Sequence, residues 1–126
     1  MAFITERFGD QIYAALRFVA GFLFLWHGLQ KLFGIPMPLP SGVPAYIVYI
    51  AGPLELIGGL LVAIGLFTRW AAFLSSGLMA FAYWIAHGTN AILPIVNRGE
   101  LAALYCFLFL YISAHGSGIW SVDSRR

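Results

Sequence analysis

The chain has 126 residues, is 61% hydrophobic and only 10% charged, and combines a formal net charge of +2 with a mean hydropathy of +0.87. A soluble domain carries about 25% charged residues, so this balance excludes one and indicates a single integral membrane domain. So small and scattered a charge excludes a nucleic-acid footprint, and the lone cysteine, Cys106, excludes a disulfide framework, a C-x-x-C pair or a thiolate zinc site within one chain.

Residues 1–10 contain Phe3-Ile4-Thr5-Glu6-Arg7-Phe8, an amphipathic lead expected at the membrane surface. Span 1 follows at about 12–33, interrupted by Arg17, His27, Gln30 and Lys31. It is too long for a cleaved signal peptide, contains Arg17, and has no small-x-small site after it. Residues 34–44 hold Pro36, Pro38, Pro40 and Pro44, which exclude regular helix. Span 2, about 46–67, is long enough to cross a bilayer. Within it Gly52, Glu55 and Gly59 share one helical face, a groove of small residues with one acid in it. Pro53 removes a backbone N–H and predicts a kink just before that acid.

Thr68 is expected to cap span 3, about 69–87. Gly88, Asn90 and Pro94 punctuate a loop. Asn97 and Glu100, three apart, read as a capping box opening span 4, about 98–115, which Gly116-Ser117-Gly118 stops. The tail to residue 126 reads as polar and terminal. Cys106, mid-span, reads as inert packing. The expected fold is all-α, a four-helix transmembrane bundle of one domain over residues 1–126.

Four spans put both termini and the turn between spans 2 and 3 on one side, with Arg7, Arg69, Arg125 and Arg126; Lys31 and Arg98 lie on the other. The positive-inside rule then makes the termini cytoplasmic, in a bacterial-type inner membrane. Trp26 and Trp84 fall at the outer interface and Trp70 and Trp120 at the inner one, the aromatic belts this topology requires.

An ionisable group at membrane depth is a functional-site hypothesis. At about 1.5 Å per residue, Lys31, His27 one turn deeper, Glu55, His87 and Glu100 all fall in the outer half, while Arg17 stands alone in the inner half, able to snorkel to its boundary. Such a set is able to relay protons, or to form a closed salt-bridge network tying the helices together; both readings stand. The residues expected to carry chemistry are Glu55, Lys31, His27 and Glu100, and those expected to hold a cofactor are Arg17, Gly52, Gly59 and Trp84. Aromatics of spans 1 and 3, among them Phe24 and Trp84, suit a quinone ring as well as they suit packing. A bis-histidine haem on His27 and His87 is the weaker alternative; His115 is on the other side and reads as an interface residue, and no metal site is expected.

The ordered series Arg17…Gly28-x-x-Lys31, Glu55-Leu56-x-Gly58-Gly59, Gly65-Leu66-x-Thr68-Arg69, Asn97-x-Gly99-Glu100 and Gly118-x-x-Ser121-x-Asp123 resembles the DoxX family of small four-helix membrane proteins over nearly the whole chain. The family pattern places polar positions at Arg17, Lys31, Glu55, Arg69 and Glu100, and does not feature the histidines. The resemblance implies a subunit of a quinone-linked oxidoreductase, with a redox partner protein supplying the electron carrier this chain lacks. A non-enzymatic scaffold is the alternative, a small-molecule carrier a third, and homo-oligomerisation stays open.

Overall fold

A computed structural model describes residues 3–125; Met1 and Ala2 of the expected surface lead, and Arg126 of the arginine set expected on the cytoplasmic side, lie outside the described residues. The described residues contain no strand. Four helices form the bundle: α1 (Gly9–Phe33), α2 (Gly52–Ile64), α3 (Thr68–Tyr83) and α5 (Glu100–His115), with a single-turn α4 (Pro94–Asn97) before the last. A 3-10 turn, Ile4–Phe8, feeds α1, so lead and span form one run, Ile4–Phe33. That run and Ile47–Ile64 are long and apolar enough to cross a membrane; Glu100–His115 is apolar but shorter.

Directly before Pro53, where a kink is expected, the chain winds as a π-helical turn, Ile47–Ala51. The wider winding accommodates a residue that can neither donate to the preceding turn nor avoid its carbonyl. A second π turn, Trp84–Gly88, extends α3. Span 2 ends earlier than expected, at Ile64, because Gly65 adopts the left-handed conformation (φ 73°). A side chain there would also strike Ser121. Thr68 is not the cap of α3 but its first residue, preceded by Phe67 at φ 49°. The cap comes from the tail: Asp123 accepts from the Phe67 and Thr68 N–H groups, both at 3.0 Å, and from the Thr68 hydroxyl at 2.8 Å.

The helices pair as α1 on α2 and α3 on α5, with α2 meeting α3 less extensively. Seven-residue glycine spacings on both partners let α1 and α2 approach backbone to backbone. A Cβ on Gly59 would stand 2.6 Å from the Leu25 nitrogen, and one on Gly28 2.7 Å from the Gly52 carbonyl oxygen. Phe24, Val62, Ala72, Phe109 and Ile112 are wholly buried at the centre. Arg17, Glu55, Ser75, Ser76 and Asn97 are buried too, while Leu54, Ile57, Phe73, Leu74, Leu104 and Phe107 face outward. This distribution, with polar groups inside and large apolar side chains outside, suits a lipid solvent rather than water.

The polar tail of the sequence is part of the fold. Arg17 does not snorkel: it is 2% exposed and donates to the carbonyls of Val62 (3.1 Å), Ile119 (3.1 Å), Trp120 (2.8 Å) and Ser117. Tyr13 donates its hydroxyl to the Gly116 carbonyl at 2.6 Å. Arg69 covers the last carbonyls of α5, at Ser113 (2.9 Å), Ala114 (2.6 Å) and His115 (3.3 Å). The N–H groups of Val122 and Asp123 close on Ile64 and Gly65. Residues that a capping or snorkelling argument treats singly therefore form one knot at the tail end of the bundle.

Candidate functional site

At the opposite end, all four long helices contribute to a cavity of about 220 Å³. Phe24 and His27 enter from α1, Glu55 from α2, Met79 and Ala82 from α3, and Ala102 and Tyr105 from α5. His87, from the second π turn, and Arg98, which precedes α5 at φ 62°, line it as well. The four-residue spacing of helical faces explains two of these placements. His27 falls one turn before Lys31, and Tyr105 one turn after Leu101, another lining residue.

Glu55 is 3% exposed, and its Oε2 lies 2.8 Å from the Lys31 ammonium. No further hydrogen-bond donor among the described residues reaches that oxygen, so Lys31 is its partner. The pair ties α1 to α2 at the depth where Gly28 and Gly52 bring their backbones together. A carboxylate has about four acceptor positions, so Glu55 retains capacity toward the cavity it lines.

Aromatic rings build one wall. Tyr105 is 5.2 Å from Phe24 between ring centroids, stacks on Phe109 at 5.5 Å, and meets the His27 ring edge-on at 6.1 Å. His87 is fixed by its Nδ1, 3.0 Å from the Asn97 carbonyl. A carbonyl only accepts, so Nδ1 carries the proton of that bond.

The cluster inferred from depth is thus assembled in large part: His27, Glu55 and His87 share the cavity, with Lys31 holding Glu55 from behind. Glu100 is not brought in. It starts α5 and is exposed, where solvent and the positive end of the helix accommodate its charge. Its supposed capping partner is also otherwise engaged. Asn97 ends α4, accepts from the Gly99 N–H at 2.8 Å, and donates to the Tyr83 hydroxyl and the Ala91 carbonyl.

The residues expected to hold a cofactor lie elsewhere. Arg17 belongs to the knot at the other end. The groove at Gly52 and Gly59 is filled by α1 itself, through Lys31 and Leu32 at the first and Leu25 at the second. Trp84 is 63% exposed and packs edge-on against Tyr83 outside the cavity. Sequence reasoning missed Tyr105 and Arg98; a tyrosine in the middle of an apolar span was the available signal for the first.

Among the described residues no three His, Cys, Asp or Glu side chains come together as a metal site. Cys106 is paired with Ser76, 3.6 Å from its hydroxyl. A wider hollow at the tail end is lined by Arg69, His115 and Asp123, but its guanidinium and carboxylate already cap α5 and α3.

The DoxX family model matches residues 12–88, from the start of α1 through the second π turn. A Haemophilus influenzae (strain ATCC 51907 / DSM 11121 / KW20 / Rd) protein, named only as uncharacterized, is 38% identical over 126 residues, 95% of this chain and 94% of its own length. A Bacillus subtilis (strain 168) protein named "Putative oxidoreductase CatD" is 40% identical over 112 residues, 86% of this chain and 81% of its own length. No solved structure matches the chain. With a family match over more than half its length and a full-length relative, the chain belongs to the DoxX family of integral membrane proteins.

Proposed function

We propose that the protein is a small membrane subunit of a quinone-linked oxidoreductase complex, and that the cavity beside Glu55 receives the quinone head group. One observation carries the reading. A buried carboxylate, two imidazoles, a guanidinium (Arg98) and a tyrosine line a single cavity otherwise walled by Phe24, Met79 and other apolar groups. The oxidoreductase named among the relatives favours redox chemistry over a purely mechanical role.

The dimensions fit the head group alone. Pockets for drug-sized ligands run to roughly 300–1,000 Å³, so about 220 Å³ has room for one substituted ring and leaves an isoprenoid tail outside. The Gly52–Gly59 face does not serve as the path of that tail, since α1 occupies it. A bound quinone would supply a lipid-soluble carrier of two electrons and two protons. The chain's own residues supply the rest. Lys31 holds the Glu55 carboxylate in place, Glu55 and His27 hold or pass protons at the cavity wall, and Phe24 and Tyr105 exclude water from one side. His87, with Nδ1–H committed to Asn97, is held in place at the cavity wall. The sequence has no dinucleotide fingerprint and one cysteine, so electrons come from a partner protein. The arginine distribution favours a cytoplasmic membrane with both termini cytoplasmic and the cavity toward the outer face.

A second reading has its own observation. The 2.8 Å Lys31–Glu55 pair joins two helices, and as a structural lock it would need no ligand. Purification in native lipid followed by mass spectrometry of extracted small molecules separates the two. The quinone reading expects a co-purifying quinone, lost about tenfold or more in Glu55→Gln while that variant stays folded. A preparation that contains no quinone and takes up none when it is added would leave the lock.

A further inference from the structure

Residues 92–96 present a surface that the cavity does not use. Ile92 is 93% exposed, Ile95 73%, Val96 64% and Leu93 61%: four branched apolar side chains within five residues, all turned away from the bundle. The opposite side of the segment is polar and fixed. Asn97 is buried and bonded to Tyr83, Ala91 and Gly99 through its side chain and to His87 through its carbonyl. The outward apolar face is therefore held in place from beneath.

That face continues a surface already assigned to lipid. α4 packs on the Trp84–Gly88 turn and on α5, whose outward side chains Trp84, Ile85, Leu101 and Leu104 are exposed. Arg98, beside it, is exposed and lines the cavity. A long cationic side chain next to an apolar stretch suits the level of lipid phosphates. In water so much contiguous apolar surface would promote association; against a bilayer it is covered.

We propose that residues 92–96 are seated in the bilayer at the boundary of acyl chains and headgroups, which makes the connection from α3 to α5 a membrane anchor, and that the adjoining cavity, lined by His87 and Arg98, takes its ligand sideways from lipid. The anchor stands on exposure and pinning alone; the sideways route rests on the quinone reading.

The test uses the full chain with Cys106→Ser, carrying Ile92→Cys or Asn90→Cys labelled with bimane, in phosphatidylcholine–phosphatidylglycerol vesicles. A nitroxide placed high on the phospholipid acyl chain should quench the label at 92 several-fold more than aqueous iodide does, with the reverse order at 90. Iodide quenching at 92 without lipid quenching would overturn the anchor, whether or not any quinone binds. For the route, Ile92→Lys with Ile95→Lys should slow uptake of decyl-quinone from the vesicles about tenfold at unchanged melting temperature. Equal uptake rates in the variant and wild type would overturn the sideways route and leave the anchor. No uptake by wild type would overturn the quinone reading together with the route, and the quenching at 92 would still decide the anchor.

Discussion

Arg17→Met removes the group that fastens the tail to the bundle. Four carbonyls lose a charged donor: Val62, Ile119 and Trp120 at 2.8–3.1 Å, and Ser117. Hydrogen bonds from a charged group contribute about 1.5–3 kcal/mol each, but the full sum is not expected. The Val62 carbonyl keeps the Gly65 N–H at 3.2 Å, and the tail carbonyls regain water once the tail lifts away. The net cost should approach that of about two hydrogen bonds from a charged group, about 3–5 kcal/mol, or roughly 10–20 °C in melting temperature on the scale of small domains. Arg17→Lys should lose about half as much, since an ammonium has three donors on one point and no planar fork. Thermal unfolding in detergent gives the first quantity, and proteinase K digestion of residues 117–123 reports the tail. If Arg17→Met melts within a degree or two of wild type and the tail stays resistant, the knot does not hold the fold together.

Gly28→Ala should destabilise by about 1–3 kcal/mol or more, because the new methyl meets the α2 backbone, whereas Gly77→Ala, with nothing within 4 Å, should be neutral or stabilising by up to about 1 kcal/mol; equal melting shifts would contradict the close α1–α2 approach. Asp123→Ala should cost about 1–2 kcal/mol in chemical unfolding, through loss of the carboxylate that caps α3, and an unchanged midpoint would remove that role. In a Cys106→Ser background, Ser41→Cys and Asn90→Cys should react with an impermeant maleimide on intact cells and Ser124→Cys only after lysis; the opposite pattern would reverse the orientation.

Hydropathy made the helices legible, and depth along them placed Glu55 in one cluster with Lys31 and His27. The structure makes Lys31 its partner, at 2.8 Å. Depth says nothing about direction around the helix, which is why Glu100, at the right level, turned out to face solvent. The stripe of Gly52 and Gly59 was legible as a place of close approach, but its occupant was the matching stripe of Gly21 and Gly28, present in the sequence at the same seven-residue spacing. Arg17 was misread because three of its four partners lie about 100 positions away and all are backbone carbonyls, which carry no sequence signal. For the same reason Asp123 as the cap of α3 was not legible: local capping rules look only at the residues just before a helix.

Photolabelling shows whether a quinone occupies the cavity beside Glu55. A short-tailed azido-quinone is irradiated with the protein in native-lipid discs, and the adducts are mapped by mass spectrometry. A quinone seated beside Glu55 gives adducts on peptides containing Phe24–His27, Met79–Ala82 or Leu101–Tyr105, competed away by unlabelled quinone and lost in Glu55→Gln. Adducts confined to the tail-end hollow around Trp70 and His115, or labelling that unlabelled quinone does not compete, would contradict it.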